Sequence, residues 1–137
     1  MPHTRGLASH WRRIPQWYRL EGAYCETCNN YFFPSRSICP ECRREGKLTS
    51  RKLKGTGEVY SYTVVHAPPQ GFELHRPYIM ALVKLDEGPV LTTQIVDCKK
   101  EDVGIGTKVK MVFRKISDGS GEGIIQYGYK FKPEVGN

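Results

Sequence analysis

Four cysteines in the first third of the chain have the types and spacing of a metal site. They form two Cys-x-x-Cys pairs with ten residues between them: Cys25 and Cys28, then Cys39 and Cys42. Each pair places two thiolates on one tight turn, where backbone N–H groups of the same turn can donate to the sulfurs. Because four protein ligands leave no position for a reacting water, we predict a structural Zn²⁺ ion rather than a catalytic one.

The same cysteines have three alternative interpretations. These are disulfides, a redox-active dithiol, and an iron centre for electron transfer, since a rubredoxin uses the same two turns. Disulfides are disfavoured because the N-terminus carries Arg5, Arg12 and Arg13 without the apolar stretch of a secretory signal. The fifth cysteine, Cys98, lies too far along the sequence to join either turn and has no obvious base beside it, so we expect an inert thiol.

Size and charge limit the classes of function. The 137 residues fit one or two compact domains, and no apolar run approaches the length of a membrane span, so we expect a cytoplasmic protein. The net charge of +7 is uneven, because residues 1–55 hold 11 Lys and Arg against 4 Asp and Glu, whereas residues 56–137 hold 10 of each class. The basic excess therefore lies in the N-terminal part, although four thiolates around zinc would offset about two of those charges.

The segment 9–20 mixes aromatic side chains and arginines at roughly helical spacing. It predicts a short helical segment with Ser9 as its N-cap and a break or kink at Pro15. So short a helix is unstable alone, so its aromatic side chains must pack on the protein's own body or on a partner. Both alternatives stay open here. The candidate partner-binding residues of this segment are Trp11, Arg13 and Trp17.

Beyond the basic connector at 47–57, the sequence changes to short β-like runs. Five strands are predicted, at residues 58–66, 77–85, 90–96, 108–113 and 124–131, with a helical turn near 101–103. We expect the second strand to be apolar on both faces, and the fourth to direct Val109, Met111 and Phe113 inward. A β-sandwich needs more strands, so five with a break after the third predict a closed OB-fold barrel.

The predicted fold class is therefore mainly β. It consists of an N-terminal helical segment (1–22), a rubredoxin-like zinc ribbon (23–54) and a C-terminal five-stranded OB-fold barrel (55–137).

A proline-rich segment at 67–77 is too long for a simple turn, and such loops commonly carry binding sites. Its candidate partner-binding residues are Pro68, Phe72 and Arg76. Enzyme activity is a weaker interpretation of the same loop, since Glu73 between His66 and His75 provides groups for acid–base chemistry. The sequence shows no nucleophile beside a base and no paired carboxylates, so we expect no catalytic residues.

The order of motifs along nearly the whole chain resembles a known family. The resemblance is carried by the two cysteine pairs together with these stretches: Tyr31-Phe-Phe-Pro-Ser-Arg36, Gly55-Thr-Gly-Glu-Val-Tyr-Ser-Tyr-Thr-Val-Val-His66, Pro77-Tyr78, Asp86-Glu-Gly-Pro89 and Gly106. These are similar to the acyl-CoA-associated OB-fold proteins with a rubredoxin-like zinc ribbon, long catalogued as a domain of unknown function. One departure is that Asn29 and Arg43 stand where relatives generally have glycine directly after each cysteine pair.

The resemblance implies a non-catalytic scaffold. Archaeal members resemble the subunit that joins acetoacetyl-CoA thiolase to hydroxymethylglutaryl-CoA (HMG-CoA) synthase, while other relatives are partnered with hydratase or aldolase subunits. We therefore expect a bridge that binds a thiolase-type enzyme and an HMG-CoA synthase-like enzyme and helps to enclose coenzyme A or acyl-CoA. Arginine can pair with phosphate and aromatic rings can stack on adenine, so Tyr31, Phe33 and Arg36 are candidate cofactor contacts. Their alternative role is packing the ribbon on the barrel.

Nucleic-acid binding is the second function considered. Zinc ribbons and OB folds both serve it, and a pI near 9.2 favours it. However, an OB barrel that binds single strands needs a basic groove on the barrel itself, and the barrel half of this chain is neutral. Nucleic acid is therefore the less favoured partner.

Overall fold

The computed structural model describes residues 7–69, 77–117 and 125–134. The chain begins with two short helices, α1 (Leu7–Arg12) and α2 (Ile14–Arg19). The predicted break is confirmed: Pro15 lies in the first turn of α2, where its missing N–H needs no helical acceptor. The assignment of Ser9 as an N-cap is wrong, because Ser9 lies inside α1. The second helix ends at Leu20, whose left-handed backbone (φ 53°) directs its N–H to the carbonyl of Pro15.

A three-stranded antiparallel sheet forms the ribbon. Its strands are β1 (Glu21–Cys25), β2 (Asn30–Phe32) and β3 (Leu48–Lys52), in the order β2-β1-β3. Since β1 is central, its last residue Cys25 is paired on both sides, with Asn30 and with Leu48. The first cysteine of the ribbon is thereby fixed within the sheet rather than in a loop.

Five strands close into the predicted OB-fold barrel. They are β4 (Thr56–Val65), β5 (Tyr78–Leu85), β6 (Val90–Ile95), β7 (Lys108–Ser117) and β8 (Gln126–Pro133), in the order β4-β5-β6-β8-β7. The predicted helical turn is the 3₁₀ turn Lys100–Asp102. All neighbouring strands are antiparallel except β6 and β8, which run parallel and are paired in register at Ile95 and Phe131.

The core fills the barrel and extends under the ribbon. Val59, Val83, Val109 and Phe131 are almost completely buried inside the barrel. Leu20 and Phe33 join the same cluster from the N-terminal third. The apolar core therefore connects the helical segment, the ribbon and the barrel.

Two expectations about strand faces are wrong. In β5 burial alternates, so Met80 and Leu82 are exposed on the outer face. The reason is that the barrel is a single layer, which gives each strand only one buried face. In β7, Val109 is buried and Met111 packs against the core as expected, but Phe113 is 46% exposed. Its ring stacks on Tyr127 with centroids 5.4 Å apart and meets the ring of Tyr18 from α2 edge-on at 5.1 Å.

Backbone hydrogen bonds fix the connection between ribbon and barrel. The N–H of Leu53 donates to the carbonyl of Leu20 (3.1 Å), and the N–H of Lys54 donates to Glu87 Oε1 (2.7 Å). Glu87 belongs to the predicted turn between β5 and β6, which the structure confirms, with Gly88 at φ 117°. Within the described ranges, no helix is both long enough and apolar enough to cross a membrane.

Candidate metal centre and binding surfaces

The four predicted cysteines converge at one end of the ribbon. Cys25 ends β1, Cys28 lies in the turn before β2, and Cys39 and Cys42 lie between β2 and β3. All four Sγ atoms lie within 4.8 Å of one another, and those of Cys28 and Cys39 are 3.6 Å apart. Four sulfurs at about 2.3 Å from a tetrahedral zinc would be about 3.8 Å from each other. The donor set and its spacing therefore fit a four-coordinate metal ion.

Both cysteine turns use a left-handed residue where glycine is usual in the resembled family. Asn29 has φ 58° and Arg43 has φ 54°. Their N–H groups donate to the carbonyls of Cys25 (2.8 Å) and Cys39 (2.9 Å) respectively. The departure from glycine thus preserves the turn geometry, although a side chain in this region costs backbone energy.

The ionisation of the cysteines suits a cation at their centre. The backbone N–H of Cys28 stabilises the thiolate of Cys25 and lowers its pKa to about 6. Burial raises the pKa of Cys42 to about 12 and also raises that of Cys28. A bound metal ion supplies the positive charge that stabilises all four thiolates together, and its binding releases the protons that the buried thiols hold.

Gly46 is a residue of this site that the sequence reasoning missed. A Cβ atom there would lie 2.6 Å from Cys39 Cβ and 3.1 Å from Cys42 Cβ. Only glycine lets the chain pass so close behind the second cysteine turn. Its position four residues after Cys42 is the only feature of the sequence that could have indicated this close approach to the second cysteine turn.

Cys98 lies apart from the metal centre, as expected. It is partly buried against the barrel core. Burial, followed by the carboxylates of Asp102 and Asp97, raises the pKa of this thiol. Both effects favour the protonated thiol, and the inertness of Cys98 stays a prediction.

The candidate cofactor contacts have three different environments. Phe33 is buried in the core and meets the ring of Tyr129 edge-on, with centroids 5.5 Å apart. Tyr31 is partly buried against the ring of Tyr24 at 4.7 Å, and Arg36 is exposed. The structure thus gives Phe33 the packing role, and contact of these residues with coenzyme A stays a prediction.

The two tryptophans of the helical segment also differ. Trp11 is 74% exposed, and Arg13 beside it is exposed too. Trp17 instead stacks on Tyr129 of β8, with centroids 5.8 Å apart and planes inclined by 13°. Packing on the protein's own body is therefore realised for Trp17, and contact of Trp11 with a partner stays a prediction.

The proline-rich loop is described only in part. Pro68 is partly buried and His66 is exposed. The predictions for Phe72 and Arg76, and the acid–base interpretation of Glu73 and His75, lie outside the described residues.

Two concave sites include residues that the sequence reasoning did not select. A cavity of about 480 Å³ lies between the helical segment and the barrel, and its lining includes His10, Trp17, Met80, Thr93, Tyr129 and Lys130. A smaller cleft of about 280 Å³ lies where ribbon and barrel join, and its lining includes Tyr18, Arg19, Lys52, Lys54 and Lys110. The basic connector at 47–57 was the feature of the sequence that indicated the cleft. Nothing in the sequence of β8 indicated that Lys130 lines a cavity.

Sequence comparison identifies the family. Residues 14–49 match the rubredoxin-like zinc ribbon domain of ChsH2, and residues 50–114 match its C-terminal OB-fold domain. A DUF35 domain-containing scaffold protein of Methanothermobacter thermautotrophicus is 51% identical over 125 residues, which cover 91% of this chain and 94% of that protein. This chain belongs to the DUF35 family.

Two further relatives of this DUF35 chain are associated with enzymes by name. The solved structure of an Ltp2-ChsH2(DUF35) aldolase contains a chain that is 31% identical, with a TM-score of 0.72, covering 98% of this chain and 99% of that one. A probable enoyl-CoA hydratase alpha subunit of Thermomonospora curvata is 37% identical over 100 residues, which are 72% of this chain but 30% of that protein. The name scaffold protein is that of the archaeal relative, whereas these two matches show that relatives of this chain also occur in proteins named as enzymes.

Proposed function

We propose that this chain is a non-catalytic bridging subunit that docks a thiolase-type enzyme and an HMG-CoA synthase-like enzyme. The observation that carries the proposal is the presence of two separate exposed apolar surfaces. The first is the α1 surface, formed by Leu7 and Trp11. The second is the outer barrel surface, formed by Leu82 of β5 together with Tyr60 and Val90. Clustered exposed apolar side chains mark protein interfaces, and tryptophan is a frequent interface anchor.

A role without chemistry is supported by the state of the reactive groups. The four cysteines of the metal centre would occupy every position of a tetrahedral ion, which leaves none for substrate or water. Cys98 is a protonated, partly buried thiol. We propose Zn²⁺ as the resident ion because thiolate sites of this kind usually hold zinc.

The enclosed cofactor is the finer part of the proposal. The cleft between ribbon and barrel presents Lys52, Lys54 and Lys110 beside the ring of Tyr18. Lysine ammonium groups bind phosphates as point charges, and a tyrosine ring can stack on adenine. This cleft supports binding of the nucleotide end of coenzyme A or acyl-CoA at a surface shared with a partner, and exposed Arg36 of the ribbon is a separate candidate phosphate contact.

The identity of the partners rests on the resemblance alone, since the names of the relatives give a scaffold, an aldolase and a hydratase subunit. The aldolase and the hydratase belong to those relatives: one name joins a DUF35 chain to an aldolase, and the other is that of a probable hydratase subunit. We propose the thiolase and synthase pair for this chain, in the cytoplasm, with the units divided as 1–22, 23–54 and 55–137.

The direct test mixes the purified chain with its cognate thiolase-type and synthase-type enzymes and measures complex formation by sizing and calorimetry. Trp11→Ala or Arg13→Ala should weaken the binding of one partner by more than about 1 kcal/mol, and Leu82→Ala should weaken the binding of the other. Ile38→Ala is the matched control, because Ile38 is exposed but lies in the ribbon between β2 and β3, away from both surfaces. Failure to bind any acyl-CoA enzyme would refute the bridging role.

Nucleic acid provides the contrasting outcome. A single-stranded RNA or DNA binder would lose affinity steeply as salt rises, since each neutralised phosphate releases a counterion. We expect weak binding with a shallow salt slope for this chain. A steep slope that Lys52→Met and Lys54→Met flatten would assign the basic cleft to nucleic acid instead.

A further inference from the structure

The cavity between the helical segment and the barrel contains buried polar groups with no evident structural task. Lys130, Thr93 and His10 all line it and are respectively 5%, 6% and 7% exposed. The Oγ1 atom of Thr93 has no hydrogen-bond partner within the described part of the chain. Among residues 7–69, 77–117 and 125–134, no ion pair is formed with Lys130 either.

The position of the cavity follows from how the barrel closes. The parallel strands β6 and β8 are paired at Ile95 and Phe131, and the N–H of Val96 donates to the carbonyl of Phe131 (2.9 Å). Two residues earlier on each strand stand Thr93 and Tyr129, and both line the cavity. The cavity thus begins where the pairing between β6 and β8 ends. The helices α1 and α2 contribute His10 and Trp17 to its wall.

A buried lysine without an anionic partner is costly. Burial, followed by the positive charge of Arg114, lowers the pKa of Lys130. Arg114 itself pairs with Asp97 at 2.7 Å, and no carboxylate among the described residues acts on Lys130 to offset these two effects. Buried charges in proteins are normally paired, and an unpaired one destabilises the fold unless a ligand supplies the counter-charge.

The remaining wall is largely apolar. Trp17, Met80 and Tyr129 line the same cavity, and its volume of about 480 Å³ lies within the range of small-molecule sites. An apolar cavity with a few buried polar groups is the usual form of a site for an amphiphilic ligand.

We propose that this cavity binds a small organic anion, a carboxylate on an apolar chain or ring, with the carboxylate held by Lys130 and Thr93. One ammonium and one hydroxyl group provide one donor for each of the two carboxylate oxygens. The apolar part of the ligand packs against Trp17, Met80 and Tyr129. This site lies within one chain and does not depend on the bridging role, so the isolated protein is sufficient for its test.

The test titrates octanoate into the Trp11→Phe variant of the full chain, in which Trp17 is the only tryptophan and reports on the cavity. We expect saturable changes in Trp17 fluorescence with a matching calorimetric heat. Octanol, which lacks the charge, should bind at least about tenfold more weakly. Octyl phosphate binding more tightly than octanoate would overturn the carboxylate assignment.

Two variants connect binding to the proposed residues. Lys130→Met removes the charge with little change in side-chain length and should weaken octanoate binding at least about tenfold. Lys132→Met, on the same strand but outside the cavity, should leave octanoate binding unchanged. Thr93→Val removes Oγ1 at constant shape and should weaken binding severalfold. Without ligand, Lys130→Met should raise the unfolding temperature because it removes an unpaired buried charge.

Three results would overturn the proposal. These are no octanoate binding at millimolar concentration, equal binding by the Lys130→Met and Lys132→Met variants, and a lower unfolding temperature of the ligand-free Lys130→Met protein. The last would show that Lys130 has a structural partner. Octanoate should raise the unfolding temperature of the parent protein but not that of Lys130→Met.

Discussion

The ribbon and the barrel are two β structures in one chain that depend on different interactions. In the ribbon, Ala23, Cys25 and Cys39 are buried and are small or metal ligands, while its larger buried side chains, Phe33 and Leu53, belong to the core cluster shared with the barrel. The barrel instead encloses a layer of fully buried aliphatic and aromatic side chains that includes Val83 and Phe131. A unit as short as the ribbon cannot bury enough apolar surface to fold by itself, so a metal ion must supply what its core lacks.

The largest expected effect comes from removing one metal ligand. Cys39→Ser should abolish stoichiometric metal binding and the ordered structure of the ribbon, because the site has no spare ligand. The barrel strands should keep their fold, since the core cluster contains no cysteine ligand and takes only Phe33 and Leu53 from the ribbon. Elemental analysis and residue-resolved NMR spectra together check this.

Cys98→Ser is the matched control, because Cys98 lies outside the metal centre. It should retain about one zinc per chain. Iron with reversible redox behaviour in the parent protein would contradict the structural zinc assignment. Loss of barrel signals in Cys39→Ser would contradict the independence of the two regions.

The next effect acts on the barrel alone. Phe131→Ala should lower the free energy of unfolding by about 3–5 kcal/mol, because it empties the centre of the core. Metal content should stay unchanged while the protein remains folded. Denaturant titration measures the effect, with Tyr127→Ala as a comparison on the same strand, where the ring is partly exposed and the cost should be smaller. An equal loss in both variants would contradict the central position of Phe131.

A smaller effect distinguishes the two tryptophans at the junction. Trp17→Ala removes the stacking on Tyr129 and should destabilise the protein by about 1–3 kcal/mol. Trp11→Ala should change stability by less than about 0.5 kcal/mol, because its ring is mostly exposed. Thermal unfolding of both variants measures the difference. Equal destabilisation would show that Trp11 also packs on the barrel, which would weaken its assignment to a partner.

The sequence predicted those features that depend on spacing alone. The cysteine pairs indicated the metal centre, and the alternation of Val109 with flanking lysines indicated a strand with one buried face. The number of barrel strands was also predicted, because each apolar run ends at glycine, proline or acidic turn residues such as Asp86-Glu87-Gly88-Pro89.

Features that depend on the third dimension were not predicted. Phe113 continues the alternation of β7 but contacts Tyr18 of α2, which no local pattern reveals. The burial of Lys130 was not predicted either, because an isolated lysine in a strand normally indicates a solvent-exposed position. Its burial follows from the closing of the barrel seam and from the helices that lie over it. The cavity therefore emerged only from the arrangement of separate segments.

The smallest expected effect tests how much strain the metal turns contain. Arg43→Gly should stabilise the protein by up to about 1 kcal/mol, since Arg43 has φ 54° and glycine adopts this conformation without steric cost. Asn29→Gly should give no gain, because asparagine tolerates this conformation and its Oδ1 accepts a hydrogen bond from the Tyr24 hydroxyl (2.7 Å) that glycine would lose. Denaturant titration of the metal-loaded protein measures both. Equal gains would mean that the hydrogen bond contributes nothing, and a loss in Arg43→Gly would mean that the arginine side chain itself stabilises the ribbon.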